Sequence, residues 1–233
     1  MKNLTEKINE ELFSTRGYPH RWSMTHPEKF TLDGMMALLK PSVSIEIGAA
    51  FGGSLQVIEK YSQKVYSVDI EQERIDGLKT KFPSVQFLCG YSGEVLPEIF
   101  KSEKGIGFVL IDGDHSYEGV QKDIALLMSY QPQQDLYVIM HDSFNPEVRK
   151  GIVDFSWEQS PYFEYLEVDF VQGLFHQEGK WNGYMWGGFA LAKFSPERVL
   201  SPVRSAHHQG IYDSCISRSV HALPKKNRFQ FWK

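Results

Sequence analysis

Two carboxylates and a histidine, Asp112, His115 and Asp142, follow two apolar segments of the chain, residues 108–111 and 136–140. Uniformly apolar segments of this length are typical of strands that are covered on both faces. Neighbouring parallel strands end about 5 Å apart, so Asp112 and Asp142 would share one small space. Two carboxylates this close stay ionised only with difficulty unless a cation lies between them, and Mg²⁺ prefers oxygen ligands. The pattern predicts a divalent-cation site, with His115 facing the same pocket.

The sequence does not exclude purely structural roles for these polar residues. Asp112 could cap a helix or contact a cofactor alone, and His115 could satisfy a helix N-terminus. His141 could be a buried, hydrogen-bonded histidine. Asp142 and Ser143 could cap the helix that follows them, because Asp and Ser favour that position.

A glycine-containing loop, E-I-G-A-A-F-G-G-S at residues 46–54, follows the first strand and precedes a helix. Gly48 allows a sharp turn, and Gly52 lets backbone amides and the helix N-terminus approach a ligand closely. Asp69 lies 21 residues after Gly48, at the end of the second strand, where a carboxylate can accept hydrogen bonds from two ribose hydroxyls. This combination predicts a nucleoside-containing cofactor. The alternative is a tight turn followed by a solvated aspartate.

The glycine spacing disfavours a dinucleotide cofactor. The dinucleotide fingerprint is G-x-G-x-x-G, whereas here Ala50 stands two positions after Gly48 and the next glycines are Gly52 and Gly53. An NAD(P)-dependent oxidoreductase is therefore not the favoured interpretation.

Alternating strand and helix patterns position these residues. Short apolar strands are predicted at 43–47, 65–68, 85–89, 108–111 and 136–140. Helical segments separate them, an order that indicates a parallel α/β sheet. The helix predicted for residues 94–100 contains Pro97, which we expect in its first turn because proline interrupts a helix interior.

The pattern changes after the fifth strand. Residues 166–170 and 187–194 read as two strands without an intervening helix, and their glycine-containing connection, residues 177–186, favours a hairpin. That connection is unusually apolar, and it could line a substrate pocket or a subunit interface; its apolar residues are Trp181, Tyr184, Met185 and Trp186. No pattern places the residues after 195.

The loop, the acidic residue and the terminal hairpin together resemble the class I S-adenosylmethionine-dependent methyltransferases. The matching motifs are E-I-G-x-x-x-G-x-S at 46–54 and V-D-I at 68–70. The resemblance covers residues 41–195, a cofactor-binding core flanked by an N-terminal helical segment or lid (1–40) and a C-terminal extension (196–233). It implies an α/β, Rossmann-like sheet of seven strands in the order 3-2-1-4-5-7-6, with strand 7 antiparallel.

Carried over by position, this resemblance implies the cofactor contacts. Asp69 would hold the ribose hydroxyls, and Tyr91 and Ser92 would lie at the adenine. Gly48 and neighbouring loop residues would contact the methionine part, while Glu46 would either orient the cofactor's amino group through the loop or be purely structural. The full implied set of cofactor-binding residues is Glu46, Gly48, Gly52, Ser54, Asp69, Ile70, Tyr91, Ser92 and Asp112.

Asp112-x-x-His115 is also similar to a motif of the metal-dependent O-methyltransferases, which include catechol, caffeoyl-CoA, macrolide-sugar and cephalosporin-pathway enzymes. In the last two an acidic pair ends strand five, where this chain has His141 and Asp142. In a catechol-type alignment, Asp142 and Ser143 correspond to an Asp-Asn pair. The implied ligands of Mg²⁺ or another divalent cation are Asp112, His141, Asp142 and Ser143, with His115 as the catalytic base.

Composition excludes several other classes. The 233 residues are 42% apolar and 23% charged, as in a globular protein, and the net charge of −4 gives no reason to expect a nucleic-acid partner. No run approaches the ~18 apolar residues of a membrane span, so no membrane partner is expected. The start lacks the apolar core of a signal peptide, and two cysteines outside any C-x-x-C pair favour a reducing compartment. The predicted location is the cytoplasm.

The sequence therefore predicts an S-adenosylmethionine-dependent methyltransferase that methylates a hydroxyl of a small molecule with the help of a divalent cation. A metal-independent methyltransferase and a non-catalytic, methyltransferase-like binding module stay open as alternatives. The sequence does not identify the acceptor, and it leaves open whether the chain forms a homodimer or a higher oligomer. The aromatic and basic segment 18–24 could cover the acceptor pocket or pack on the sheet.

Overall fold

The computed structural model describes residues 18–222. The predicted N-terminal segment therefore lies outside the described residues over 1–17, and the predicted C-terminal extension does so over 223–233. Within residues 18–222 the strands are β1 Val43–Ile47, β2 Lys64–Asp69, β3 Gln86–Cys89, β4 Ile106–Ile111, β5 Leu136–His141, β6 Phe163–Val171, β7 Leu174–Phe175, β8 Met185–Trp186, β9 Phe189–Phe194 and β10 Val203–Ser205. The α-helices of the same part are α1 His26–Leu39, α2 Leu55–Tyr61, α3 Gln72–Lys79, α4 Ser92–Ser102, α5 Tyr117–Leu127, α6 Pro146–Asp154 and α7 Gln209–Ile216.

The main sheet has the strand order β10-β6-β9-β5-β4-β1-β2-β3. β9 is antiparallel to both β5 and β6, and the other pairs are parallel. Counting β9 as strand 7, the predicted order 3-2-1-4-5-7-6 and the α/β, Rossmann-like fold are confirmed. β7 and β8 form a separate two-stranded ribbon between β6 and β9. Of the two, only β8 lies in the predicted connection, residues 177–186.

The sheet continues past the predicted core. β10 pairs in parallel with β6, Val203 opposite Tyr165, and adds an eighth strand at the edge. It has only three residues, none of them fully buried, so it carries no alternation that a sequence pattern could reveal.

Helices cover both faces of the sheet because its central strands are apolar on both sides. All residues of β1 and β4 are buried. On β4, Val109 and Ile111 belong to the core beneath α4, α5 and α6, while Phe108 and Leu110 belong to the core beneath α1, α2 and α3. Burying each such side chain contributes about 1.5–3 kcal/mol. The two cores fix the strand ends, where the polar residues lie.

The prediction for Pro97 was wrong. α4 begins at Ser92, which makes Pro97 its sixth residue rather than part of the first turn. A proline there cannot donate a hydrogen bond to the carbonyl four residues earlier. Leu96, Ile99 and Phe100 are nevertheless buried against the core, and this packing stabilises the helix despite the lost bond.

The segment 18–25 packs on α1, α2 and the glycine loop. The Tyr18 hydroxyl donates to the buried Asp33 of α1, and Lys60 of α2 donates to Tyr18 over 3.1 Å. The His20 amide donates to Gln56 Oε1 over 3.0 Å. These contacts are with helices and the loop rather than with the sheet, and a role of the segment at the acceptor pocket stays a prediction. No helix of the described residues is long and apolar enough to cross a membrane.

Candidate active site

The pairing of β4 with β5 brings the predicted acidic residues together. Ile111 lies opposite Met140 in this parallel pair, so the residues that follow both strands meet at one edge of the sheet. Side-chain ligand atoms of four residues there lie within 4.8 Å of one another; these residues are Asp112, His115, His141 and Asp142. We call this group the Asp–His cluster.

Asp112 is the centre of the Asp–His cluster. Its Oδ1 lies 2.8 Å from Nδ1 of His141 and 3.1 Å from Nε2 of His115. Nδ1 of His115 lies 3.4 Å from Oδ2 of Asp142. Each histidine thus contacts Asp112, and His115 also links the two carboxylates.

The contacts within the cluster shift the acidities of its members. Burial acts to raise the pKa of Asp112, but His141 and His115 outweigh it and lower that pKa to about 2. Burial acts to lower the pKa of His141, yet Asp112 and Asp142 raise it well above its ordinary value. The hydrogen bond to Asp112 raises the pKa of His115, against the effect of burial. The site therefore favours an ionised Asp112 between two imidazoles whose pKa values are raised.

The Asp142 side chain is buried and is held by a backbone amide. Asp142 has a φ of 58°, in the left-handed region, and its Oδ1 accepts a 2.6 Å hydrogen bond from the amide of Gly187. Ser143 is also buried. A Cβ atom on Gly188 would come within 2.9 Å of the Ser143 Oγ. The hydroxyl therefore lies against the link between β8 and β9. Its role as a ligand stays a prediction.

The capping alternatives for the site residues are wrong. Asn145 caps α6, since its side chain accepts from the amide of Glu147 over 2.9 Å. Ser116 caps α5 by accepting from the amide of Gly119 over 3.0 Å. The carboxylates of the cluster are therefore not used as helix caps.

A fifth residue, Glu28 of α1, belongs beside the cluster and was missed by the sequence analysis. Its carboxylate is completely buried, and its Oε1 lies 3.2 Å from Nε2 of His141. The amides of Thr25 and Gly188 also donate to it. Burial acts to raise the pKa of Glu28, but His141 reverses this and the net shift is downward. The sequence signal is the helix start Thr25-His-Pro-Glu28, which identifies a capping box but not a contact with a strand end 113 residues later.

The glycine loop lies directly beside the Asp–His cluster. Gly48 has a φ of 91°, and the amide of Asp112 donates to the carbonyl of Ile47 over 2.8 Å. Gly52 has a φ of 80° and fits under the ring of Phe82, which a Cβ atom would approach to 2.6 Å. Gly52 thus allows the loop to pack against Phe82. Gly48 allows the loop to turn and to lie against the cluster.

Glu46 supports the loop from below. It has no accessible surface and accepts hydrogen bonds from Ser54 Oγ at 2.5 Å and Ser67 Oγ at 3.2 Å. Burial raises the pKa of Glu46 to about 8. Glu46 and Ser54 therefore act on a ligand only through the loop that they hold in place.

Asp69 is buried and is already engaged by its own loops. Its carboxylate accepts from the amides of Ala49 at 3.1 Å and Glu71 at 2.9 Å, and from Arg74 Nη1 at 2.9 Å. A ribose that bound here would share the carboxylate with Arg74 or displace it.

The predicted adenine region is open and partly apolar. Ile70 is 60% exposed, Tyr91 68% and Phe51 52%, and all three follow strands that end at the same edge of the sheet. Exposed apolar and aromatic side chains suit the face of a purine. Ser92, in contrast, donates its hydroxyl to Asp123.

An aromatic wall adjoins the cluster. The rings of Trp186 and His115 are 6.0 Å apart, and Trp181 lies 6.3 Å from Trp186. The indole N–H of Trp186 is buried and has no hydrogen-bond partner among the described residues. An unpaired buried donor is costly, and an ordered water or a bound molecule can relieve that cost.

Comparisons with known proteins agree with this architecture. A family model described as Rhamnosyl O-methyltransferase/CmcI matches residues 25–167. No curated protein sequence matches the chain significantly.

Solved structures resemble the chain in fold. An O-methyltransferase from Bacillus cereus in complex with SAH has a TM-score of 0.55 at 13% identity, covering 84% of this chain and 92% of that chain. The O-methyltransferase TomG from Streptomyces achromogenes, involved in tomaymycin synthesis and in complex with SAM, has a TM-score of 0.55 at 12% identity, covering 84% and 91%. Cofactor-bound Rv0187 from MTB has a TM-score of 0.53 at 13% identity, covering 82% and 90%.

Proposed function

Because the chain belongs to the Rhamnosyl O-methyltransferase/CmcI family and is an S-adenosylmethionine-dependent methyltransferase, we propose that it methylates a hydroxyl oxygen of a small molecule with the help of a divalent cation. The observation that carries the proposal is the Asp–His cluster, whose four ligand atoms converge within 4.8 Å beside the glycine loop.

The donors of the cluster fit a divalent cation. Two ligands on opposite sides of one such ion are about 4.2 Å apart, and the ligand atoms of the cluster all lie within 4.8 Å of one another. Asp112, His141 and Asp142 are the residues that would hold the ion, and Ser143 follows them in the chain. When bound, a divalent cation lowers the pKa of an acceptor hydroxyl and orients it.

His115 is the group that would take the acceptor's proton. Its side chain is 37% exposed, the largest exposure in the cluster, so an acceptor can reach it. A base must lie within hydrogen-bond reach of the proton it removes, and the Trp186 ring beside His115 would hold the acceptor there. Methyl transfer is an in-line displacement, so this alignment accounts for much of the rate.

The test measures S-adenosylhomocysteine formation over a panel of glycosides and phenols, with and without EDTA. We expect turnover that EDTA abolishes and an added divalent ion restores. Asp142→Ala should lose turnover and His115→Gln should lower kcat by about 10²–10⁴-fold, both with unchanged cofactor affinity. Asp114→Asn is the matched control, because Asp114 is exposed on the same loop but outside the cluster.

One observation favours a second candidate, metal-independent transfer. His141 has carboxylates next to both ring nitrogens, at 2.8 Å and 3.2 Å, so its imidazolium form could supply the positive charge of the site. Turnover that is insensitive to EDTA would favour this candidate and remove the cation from the proposal.

A further inference from the structure

We propose that Glu28 and His141 make the cation site selective for a first-row transition ion over Mg²⁺, with Glu28 as the residue that positions the His141 imidazole. The inference rests on the cation-assisted function proposed above. It concerns which ion the site takes and how α1 contributes to binding it.

The first step concerns which nitrogen of His141 is available. Nδ1 faces Asp112 at 2.8 Å, inside the cluster, whereas Nε2 faces Glu28 at 3.2 Å, outside it. An imidazole that binds an ion through Nδ1 carries its proton on Nε2. Nε2 of His141 is buried and makes no well-directed hydrogen bond within residues 18–222, with Oε1 of Glu28 beside it at 3.2 Å. When His141 binds an ion through Nδ1, a small rotation of the ring would let Glu28 accept the Nε2 proton, which would fix the tautomer and make Nδ1 the better donor.

The second step concerns how rigidly Glu28 is held. Its carboxylate is completely buried and receives the amides of Thr25 and Gly188. The amide of Gly187 donates to Asp142 at 2.6 Å. Gly187 and Gly188 are consecutive residues in the link between β8 and β9. Their amides therefore hold Asp142 of the cluster and Glu28, the carboxylate next to His141.

The third step concerns the ion. Within the Asp–His cluster, the proposed ligands are the imidazole of His141 and the carboxylates of Asp112 and Asp142, because His115 is left as the base. Imidazole suits zinc, copper, iron and nickel, whereas Mg²⁺ favours oxygen ligands and retains several waters. Affinity for nitrogen-containing sites also rises along the series from Mn²⁺ to Cu²⁺. We therefore expect the chain to bind Co²⁺ at least about 100-fold more tightly than Mg²⁺.

The experiment titrates the metal-stripped full chain with Co²⁺ and, separately, with Mg²⁺ by calorimetry. Glu28→Gln should weaken Co²⁺ binding about 10–100-fold, the usual effect of removing a partner behind a metal-bound histidine. His141→Glu should lower the Co²⁺ preference at least about tenfold, because it replaces nitrogen by oxygen. Asp33→Asn is the matched control: Asp33 is also a buried acid of α1, but it bonds Tyr18 and Tyr61, and its loss should leave metal affinity unchanged.

A spectroscopic readout separates ligation from mere loss of structure. Pulsed electron paramagnetic resonance of the Cu²⁺-loaded chain should detect imidazole nitrogen coupling that weakens in His141→Glu. Equal affinity for Co²⁺ and Mg²⁺, or a Glu28→Gln variant that binds Co²⁺ like the parent, would overturn the inference while leaving cation-assisted transfer intact. Binding of no divalent ion together with EDTA-insensitive turnover would overturn both, and methyl transfer alone would remain.

Discussion

The backbone of Asp112 lies directly against Gly48: a Cβ atom at Gly48 would stand 2.2 Å from the carbonyl oxygen of Asp112. Gly48 begins the turn of the cofactor loop, and Asp112 is the centre of the Asp–His cluster. One contact therefore fixes the distance between the loop and the cluster, and only a residue without a side chain permits it.

Gly48→Ala should accordingly impair both folding and cofactor binding. A left-handed backbone costs a non-glycine residue about 1–3 kcal/mol, and the clash with backbone atoms adds to that cost. Thermal unfolding and calorimetric titration with S-adenosylmethionine measure the two effects. The control is Gly77→Ala in α3, where a Cβ atom meets nothing within 4 Å and the change should be neutral or stabilising by up to about 1 kcal/mol. A Gly48→Ala protein that is as stable and binds as well as the parent would show that the contact is not needed.

Glu46→Gln should make the protein more stable at pH 8 relative to the parent. Burial raises the pKa of Glu46 to about 8 in the folded chain, from 4.5. Its contribution to stability is therefore complete below about pH 4.5 and is lost as the pH rises through 8. Between about pH 4.5 and pH 8, the free energy of unfolding of the parent should fall relative to that of the neutral glutamine variant by up to about 1.4 kcal/mol per pH unit.

Urea unfolding of both proteins from pH 5 to pH 8.5 measures this difference. Glu98→Gln, at an exposed position of α4, is the control and should follow the parent. Parallel stability curves for Glu46→Gln and the parent would show that Glu46 is ionised in the folded state.

The sequence was sufficient for most of the fold because two periodicities are strong in this chain. β4 is a continuous apolar run, and the alternation in β6 marks the change from parallel to antiparallel strands. β10 escaped detection because its three residues pair along an exposed edge. The predicted position of Pro97 was wrong because the packing of α4 outweighs the local cost of a proline inside a helix.

The site could be predicted only where its residues follow strands. Asp112 and Asp142 meet because their strands are neighbours, which topology alone implies. Glu28 comes from a helix that precedes the sheet, and no spacing rule connects it with His141. Ser54 bonds Glu46, and Arg74 bonds Asp69. These contacts likewise depend on side-chain directions that a sequence pattern does not contain.

Arg149→Ala should destabilise the fold strongly without changing the site. Arg149 of α6 is buried and forms a two-point ion pair with Asp169 of β6, at 2.7 Å and 3.1 Å. It also donates to Gln209 of α7 over 2.8 Å and lies 4.3 Å from the centre of the Tyr212 ring. Removing one partner of a buried pair costs about 3–5 kcal/mol because the other charge is left unpaired.

Chemical denaturation measures the loss for Arg149→Ala. Lys150→Ala is the neighbouring control: its ion pair with Asp154 is exposed and should be worth less than about 1 kcal/mol. Similar losses in the two variants would contradict a special role for the buried pair in holding α7 to the sheet.

Trp186→Phe should weaken acceptor binding and spare cofactor binding. The Trp186 indole N–H is buried without a partner among residues 18–222, and its ring lies 6.0 Å from that of His115. A buried donor without a partner costs about 1–3 kcal/mol, and an acceptor oxygen would relieve this cost. Trp186→Phe should therefore raise the acceptor KM about tenfold. The free variant should be as stable as the parent or more so. Trp157→Phe is the contrasting control, since Trp157 donates to the carbonyl of Ile152 over 2.9 Å and should lose stability but keep its KM. Steady-state kinetics and thermal unfolding of both variants decide the matter: an unchanged KM together with reduced stability in Trp186→Phe would mean that this indole is only part of the core.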